Sequence, residues 1–156
     1  MNQEEFARRI TAMQDRMYRV ACAYLRGEHD RLDAVSQAIL RAWEKHGGLR
    51  QPQYFDTWLT RILIRECVNI QRRQKRVTPV DALPESMAAA DSGGEALCAA
   101  LDELPQKLRT VAVLHYMEGY TVAETAQILR VPKGTVCSRL KTAREKLRVL
   151  LEEGLE

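Results

Sequence analysis

Gly134, Ser138, Lys141 and Thr142 recur at spacings of three and four, so on a helix they share one face, opposite an apolar stripe of Val136, Leu140, Ala143 and Leu147. Serine and threonine hydroxyls donate to or accept from base edges, and a lysine ammonium reaches O6 and N7 of guanine. The chemistry open to such a face is hydrogen-bond reading of duplex DNA in the major groove. Lys133, Thr135, Arg139 and Arg144 border it with groups suited to phosphate oxygens, although Arg144 is equally readable as a solvated residue at the far end of the helix. Cys137 lies between the two faces and is read first as a half-buried thiol, second as a weak donor to a base.

A helix beginning near Lys133 needs a partner to orient it, and Thr121 followed by Glu124 is a capping box that opens one through Leu129. Arg130-Val131-Pro132 leaves a tight connection, with Ala126 small at the crossing and Val136 apolar ten residues on. This is helix-turn-helix spacing, against which a plain αα-hairpin is the bland reading. Upstream, Leu97, Leu101 and Leu104 set a helical pattern, Pro105 breaks it, Leu108, Val111, Ala112 and His115 continue it, and Glu118-Gly119-Tyr120 stops it.

In the N-terminal half, Asn2 with Glu5 makes another capping pattern, and Phe6, Ile10, Met13, Met17, Val20 and Tyr24 predict a helix ending near Gly27. Asp30 is expected to cap a second helix with Leu32, Val35, Ile39 and Trp43 inward and Gly47-Gly48 as its stop. After a loop over 49–54, a third helix faces Phe55, Trp58, Leu59, Ile62, Leu63, Cys67 and Ile70 inward and runs out into Arg72-Arg73-Gln74-Lys75-Arg76. Trp43 and Trp58 are thereby assigned to the core. Between Val77 and Gly94 the periodicity is lost around Pro79 and Pro84. With no β-type alternation, the expected fold is all-α: two small helical domains, 1–76 and 95–156, joined by a flexible acidic linker over 77–94, the C-terminal one a helix-turn-helix.

The composition, 156 residues with 46% hydrophobic and 29% charged, suits a globular chain of one ordinary or two small domains. The net charge of +3 names no partner, but residues 1–76 carry 15 Lys/Arg against 9 Asp/Glu, 77–104 none against 6, and 105–156 9 against 6. Two basic modules flanking an acidic connector fit a chain that holds a polyanion at two places. Cys22, Cys67, Cys98 and Cys137 form no CxxC pair and read as reduced thiols, the first three as packing residues. No apolar run approaches the roughly 18 to 20 residues of a membrane helix, and a signal-peptide layout is lacking, so a cytoplasmic location without membrane insertion is expected. His29, Asp30 and Asp33 are the nearest approach to a metal cluster, yet they are what a helix start favours, and no phosphate-binding glycine loop or nucleophile elbow occurs. No enzyme activity, metal or cofactor is expected.

Leu104-Pro105, Thr121-Val122-Ala123-Glu124-Thr125-Ala126, Gly134-Thr135-Val136-Cys137-Ser138-Arg139-Leu140 and Ala143-Arg144-Glu145-Lys146-Leu147 resemble region 4 of bacterial sigma factors, which reads the −35 promoter element. Asp33-Ala34-Val35, Leu40-Arg41-Ala42-Trp43, Phe55-Asp56-Thr57-Trp58-Leu59 and Arg72-Arg73 resemble region 2. With nothing similar to regions 1 or 3, the chain resembles the minimal, extracytoplasmic-function (ECF) class. The resemblance implies a sigma factor that binds core RNA polymerase and directs initiation at promoter DNA. It implies a polymerase face of Asp33, Ser36, Gln37, Leu40 and Arg41 against a β′ coiled coil, the β subunit meeting the C-terminal domain, and often an anti-sigma factor as a further partner. It also implies capture of an unpaired −10 base by the loop of Arg50, Gln51, Gln53 and Tyr54, with Tyr54 divided evenly between base contact and packing. Opening DNA without ATP requires that binding to the single strand exceed an unpairing cost of a few kcal/mol, which a pocket for a flipped base supplies. Arg61, Arg65, Arg72, Arg73, Lys75 and Arg76 then suit the backbone of the melted strand.

The chain departs from the usual pattern at Ser36-Gln37, where Gln-Glu is common, at Arg65 for Asn, and at Asn69 for Asp. Arg130 stands in the helix-helix turn where glycine is frequent, at a cost of roughly 1 kcal/mol if positive φ is kept. The residues leave two other readings open: a stand-alone helix-turn-helix regulator binding duplex DNA as a dimer, and an adaptor that binds polymerase without choosing promoters. The region 2 resemblance and the basic third helix favour the sigma factor.

Overall fold

Asn2 Oδ1 accepts the Glu5 amide at 2.8 Å and so caps α1, Gln3–Cys22. Phe6, Ile10, Met13, Met17 and Val20 are buried along it, as their spacing predicts. The helix stops at Cys22 rather than near Gly27 because Ala23, Tyr24 and Leu25 turn into the core, their amides bonding back to the Val20 and Ala21 carbonyls. Side chains from elsewhere complete this turn: Gln71 donates to the Tyr24 carbonyl at 2.7 Å and Arg31 Nε to the Leu25 carbonyl at 2.8 Å. The computed structural model describes residues 1–77 and 92–154, which belong to two compact units, Met1–Pro84 and Glu85–Glu156; every regular element among them is helical.

In the first unit α2 (Glu28–Lys45) and α3 (Phe55–Val77) pack against each other and against α1, with short 3₁₀ turns at His46–Gly48 and Pro52–Tyr54 between them. The inward stripe expected for α2 is overturned. Ala34, Ala38 and Ala42 are fully buried, whereas of the expected stripe Leu32 is 51% and Trp43 40% exposed and Val35 and Ile39 are half-buried. Small side chains let two helix backbones come close, and bulky ones at the same crossing hold them apart. Nor does Asp30 cap α2: Gly27 takes that position, and the Asp30 carboxylate accepts from the Gln74 amide instead. Along α3, Phe55, Leu59, Leu63, Cys67 and Ile70 are buried as expected, while Trp58 and Ile62 are half-buried. Burial pushes the Cys67 thiol up to about 12, with Glu66 and Cys22 adding to the effect.

The second unit comprises α4 (Ser92–Glu103), α5 (Gln106–Ala112), a π-helical turn over Val113–Met117, α6 (Val122–Leu129) and α7 (Lys133–Gly154). Of the segment expected as linker, 77–94, Val77 closes α3 and α4 begins at Ser92; residues 78–91 lie outside the described residues, as do the side chains of Arg76 and Cys98. Thr121 Oγ1 accepts the Glu124 amide and Glu124 Oε1 accepts the Thr121 amide, both at 3.0 Å, a reciprocal cap worth about 1 kcal/mol. Val111, Ala126, Val136 and Leu140 meet in one core, with Val122, Leu129 and Val131 packed on it.

Between α6 and α7, Arg130 has φ 57° and ψ 47°, the left-handed conformation in which a Cβ is strained. Arg130→Gly is therefore expected to raise stability by about 1 kcal/mol and Arg130→Val to lower it, read as urea midpoints of the full chain. Equal midpoints for the two variants would mean that the turn holds no strain.

Candidate nucleic-acid interface

Val136, Leu140 and Ala143 seat α7 on the core of its unit, with Leu147 half-buried. The opposite face is open: Lys133, Gly134, Ser138, Lys141, Thr142 and Arg144 are exposed, and Thr135 and Arg139 half-buried at its edges. The Thr142 hydroxyl donates to the Ser138 carbonyl at 3.1 Å, which fixes its rotor and leaves its lone pairs for an outside donor. A Cβ at Gly134 would meet nothing within 4 Å, so packing within the fold does not require glycine there. Cys137 is exposed, correcting its first reading: at about 100° per residue it follows buried Val136 onto the outer side.

In the first unit Arg50, Gln51, Gln53 and Tyr54 are all exposed, Tyr54 to 48%. Their backbone is held by local bonds, from the Tyr54 amide to the Gln51 carbonyl at 3.0 Å and from the Thr57 hydroxyl to the Tyr54 carbonyl at 3.1 Å. Arg9 of α1, which the sequence reading passed over, donates Nη1 to the Pro52 carbonyl at 2.9 Å and pairs Nη2 with Glu5 at 3.1 Å. Its only signal in the sequence is a helical pair with Glu5, four residues earlier. Along α3, Arg65, Arg72, Arg73 and Lys75 are exposed and Arg61 half-buried. Helical spacing sets Arg61, Arg65 and Arg72 on one side.

On α2 the exposed residues Leu32, Ser36, Leu40 and Trp43 form a continuous stripe, flanked by exposed Asp33 and half-buried Gln37. Trp43 meets Phe6 edge-on at 5.1 Å and stacks on His46 at 4.3 Å, so a ring assigned to the core is a surface ring braced from beneath. Arg41 turns back to buried Glu66 at 3.2 Å, committing its guanidinium within the fold. Sequence reasoning named Asp33, Ser36, Gln37 and Leu40 on this face but missed Leu32 and Trp43, whose size suggested burial.

Region 2 of the sigma-70 factors matches residues 9–77, and sigma-70 region 4 matches residues 100–149. The RNA polymerase sigma factor SigV of Bacillus subtilis is 30% identical over 148 residues, spanning 91% of this chain and 88% of SigV. The chain belongs to the RNA polymerase sigma factors. The ECF sigma factor SigM of Mycobacterium tuberculosis is 34% identical over 140 residues, 86% of this chain and 71% of SigM, which places the protein in the ECF class. In fold it is similar to the sigma factor RpoE in complex with the anti-sigma factor NepR from Bartonella quintana, with a TM-score of 0.80 at 22% identity over 96% of this chain and 98% of RpoE. CnrH in complex with the cytosolic domain of CnrY gives 0.77 at 24% identity over 97% and 90% of the two chains. The sigma factor acts in transcription initiation, and its region 2 match ends where α3 ends.

The thiols give a direct check on α7's orientation. Exposed Cys137 should alkylate with N-ethylmaleimide in the folded sigma factor, while Cys67, buried and with its thiolate disfavoured, should label only on unfolding. Mass mapping of labelled peptides reads this; protection of Cys137 in the folded protein would overturn the assignment of α7's outer face.

Proposed function

We propose that this sigma factor docks on core RNA polymerase through the exposed face of α2 and reads promoters with two separate surfaces. Leu32, Leu40 and Trp43 supply apolar area to the polymerase contact, with Asp33, Ser36 and Gln37 supplying its polar edge. The β′ coiled coil meets this face and the β subunit meets the C-terminal unit. In the loop over 49–54, Arg50, Gln51, Gln53 and Tyr54 take an unpaired base of the −10 element, and Arg61, Arg65, Arg72 and Arg73 hold the strand's phosphates. Ser138, Lys141 and Thr142 read the −35 duplex beside Gly134 and Cys137, while Lys133, Thr135, Arg139 and Arg144 engage its backbone.

The observation that carries this reading is α7: a helix seated by Val136, Leu140 and Ala143 in a helix-turn-helix core, with its polar face uncovered. The 1–76 domain thus serves polymerase and the −10 element, the 95–156 domain the −35 element, and 77–94 joins them. The polymerase supplies the chemistry, and the sigma factor contributes no catalytic group. It works in the cytoplasm with the polymerase; no helix among the described residues is long and apolar enough to cross a membrane. An anti-sigma factor is a further proposed partner, as in the RpoE–NepR complex.

Run-off transcription with purified core polymerase on fragmented genomic DNA, with and without the sigma factor, tests the reading. New transcript starts sharing two spaced motifs are the expected result. Co-elution with core without new starts would favour an adaptor, and neither starts nor co-elution a stand-alone regulator.

A further inference from the structure

The loop over 49–54 joins α2 to α3, and the bonds that shape its backbone are local, from the Leu49 amide to the His46 carbonyl and from the Tyr54 amide to the Gln51 carbonyl, so they tie it to its own neighbours in sequence and not to α1. Tyr54 is half exposed, the Gln53 amide donates to the Gln51 side-chain carbonyl at 3.3 Å within the loop itself, and the peptide of Pro52 can donate no hydrogen bond. A base-capturing loop of this kind pays an ordering entropy each time it binds unless something outside it holds it. The structure supplies such a holder in Arg9. Its guanidinium sits 5.6 Å over the ring of Phe55, the fully buried residue that closes the loop into α3. From there one nitrogen of the fork reaches the Pro52 carbonyl at 2.9 Å, and the other is steadied by the Glu5 carboxylate at 3.1 Å.

We infer that Arg9 is a positioning residue for promoter opening: it ties the middle of the loop to α1 and holds Gln51, Gln53 and Tyr54 ready for the unpaired base. This rests on the reading that the loop captures that base. The role needs arginine in particular. A planar fork bonds two acceptors at once while its charge sits over an aromatic ring, whereas an ammonium at the same place is a single point of donors that cannot span both acceptors in the same geometry. Arg9 itself need not touch DNA, so its effect should appear in how well a base is discriminated, not in general affinity for the strand.

The test uses holoenzyme reconstituted from core polymerase and the full chain, with a fluorescent single-stranded oligonucleotide carrying the −10 element of a promoter mapped by run-off transcription. A matched set replaces each base in turn by an abasic site. Wild-type holoenzyme should lose about tenfold in affinity when the captured base is removed. Arg9→Met should bind the intact strand about tenfold more weakly and the abasic strand almost unchanged, so the abasic penalty collapses toward unity. Arg9→Lys, which keeps the charge and most of the stem, should fall between the two and guards against a folding defect in Arg9→Met. Affinity for core polymerase and for the −35 duplex should stay at wild-type level in both.

A wild-type abasic penalty in both Arg9 variants, alongside its loss in a Gln51→Ala/Gln53→Ala/Tyr54→Ala chain, would overturn the role of Arg9 and leave the loop's role standing. Retention of the penalty in that triple variant would overturn the loop reading and the Arg9 inference with it. A parallel loss of −35 and polymerase binding in both Arg9 variants would show that Arg9 merely holds the unit folded, and would also overturn the inference.

Discussion

Leu40→Asp should bind core RNA polymerase about a hundredfold more weakly than the wild-type sigma factor while folding as well as it does. Leu40 is 56% exposed on a helix that seats itself through Ala34, Ala38 and Ala42, so the fold does not use its side chain. A polymerase contact on this face would bury it, at about 1.5–3 kcal/mol for a leucine. An aspartate loses that gain and brings a carboxylate that must shed water, and together the two losses reach about 3 kcal/mol or more. Far-UV circular dichroism should be unchanged, and the unfolding free energy from a urea titration should remain within about 0.5 kcal/mol of wild type, as for other surface changes. Wild-type affinity for core in a pull-down titration would remove α2 from the polymerase interface. Arg41 would be a misleading probe of the same face, because its loss strips buried Glu66 of its ion-pair partner at 3.2 Å and disturbs the α2–α3 packing first.

Helix α2 also shows where reading a sequence by periodicity fails. It carries two apolar stripes, a bulky one of Leu32, Val35, Ile39 and Trp43 and a small one of Ala34, Ala38 and Ala42. Hydrophobicity ranks the bulky stripe as the core, but the close crossing with α3 admits only the small one. The bulky stripe is left at or near the surface, and that misfit between composition and burial points to a partner. The helix-turn-helix was legible because each of its signals is local. A capping box fixes the start of α6, a tight turn fixes the end, and Val136, Leu140 and Ala143 set the rotation of α7 within a turn. The resemblance to region 4 marked Arg130 as standing where glycine is frequent, and its φ is indeed positive. Contacts that depend on distant parts of the chain were not legible. No spacing rule connects Arg9 to Pro52, 43 residues on, or Gln71 to Tyr24, 47 residues back, and the π-helical turn at Val113–Met117 has no simple periodic signature.

In α7, rotation and role separate cleanly in a triple substitution. Ser138→Ala/Lys141→Ala/Thr142→Ala removes both hydroxyls and the ammonium from the middle of the exposed face and leaves Val136, Leu140 and Ala143 in place. Alanine is a better helix former than serine or threonine, so the variant should fold at least as well as wild type. The Thr142 hydroxyl's bond to the Ser138 carbonyl at 3.1 Å is lost with it, but that carbonyl keeps its place in the helix ladder. If these side chains read bases, each good contact is worth about 1–3 kcal/mol of discrimination, and loss of the Lys141 contact together with the weaker hydroxyl contacts should reduce preference for the correct −35 sequence by about a hundredfold. Binding to arbitrary duplex should fall much less, because phosphate contacts carry most of that affinity. Arg139→Ala should do the reverse, weakening all sequences alike and lowering the salt slope by about one. Competition between promoter and scrambled −35 duplexes at two salt concentrations reads both quantities at once. Undiminished promoter preference in the triple variant would mean that sequence is read elsewhere, with α7 serving only to hold the duplex.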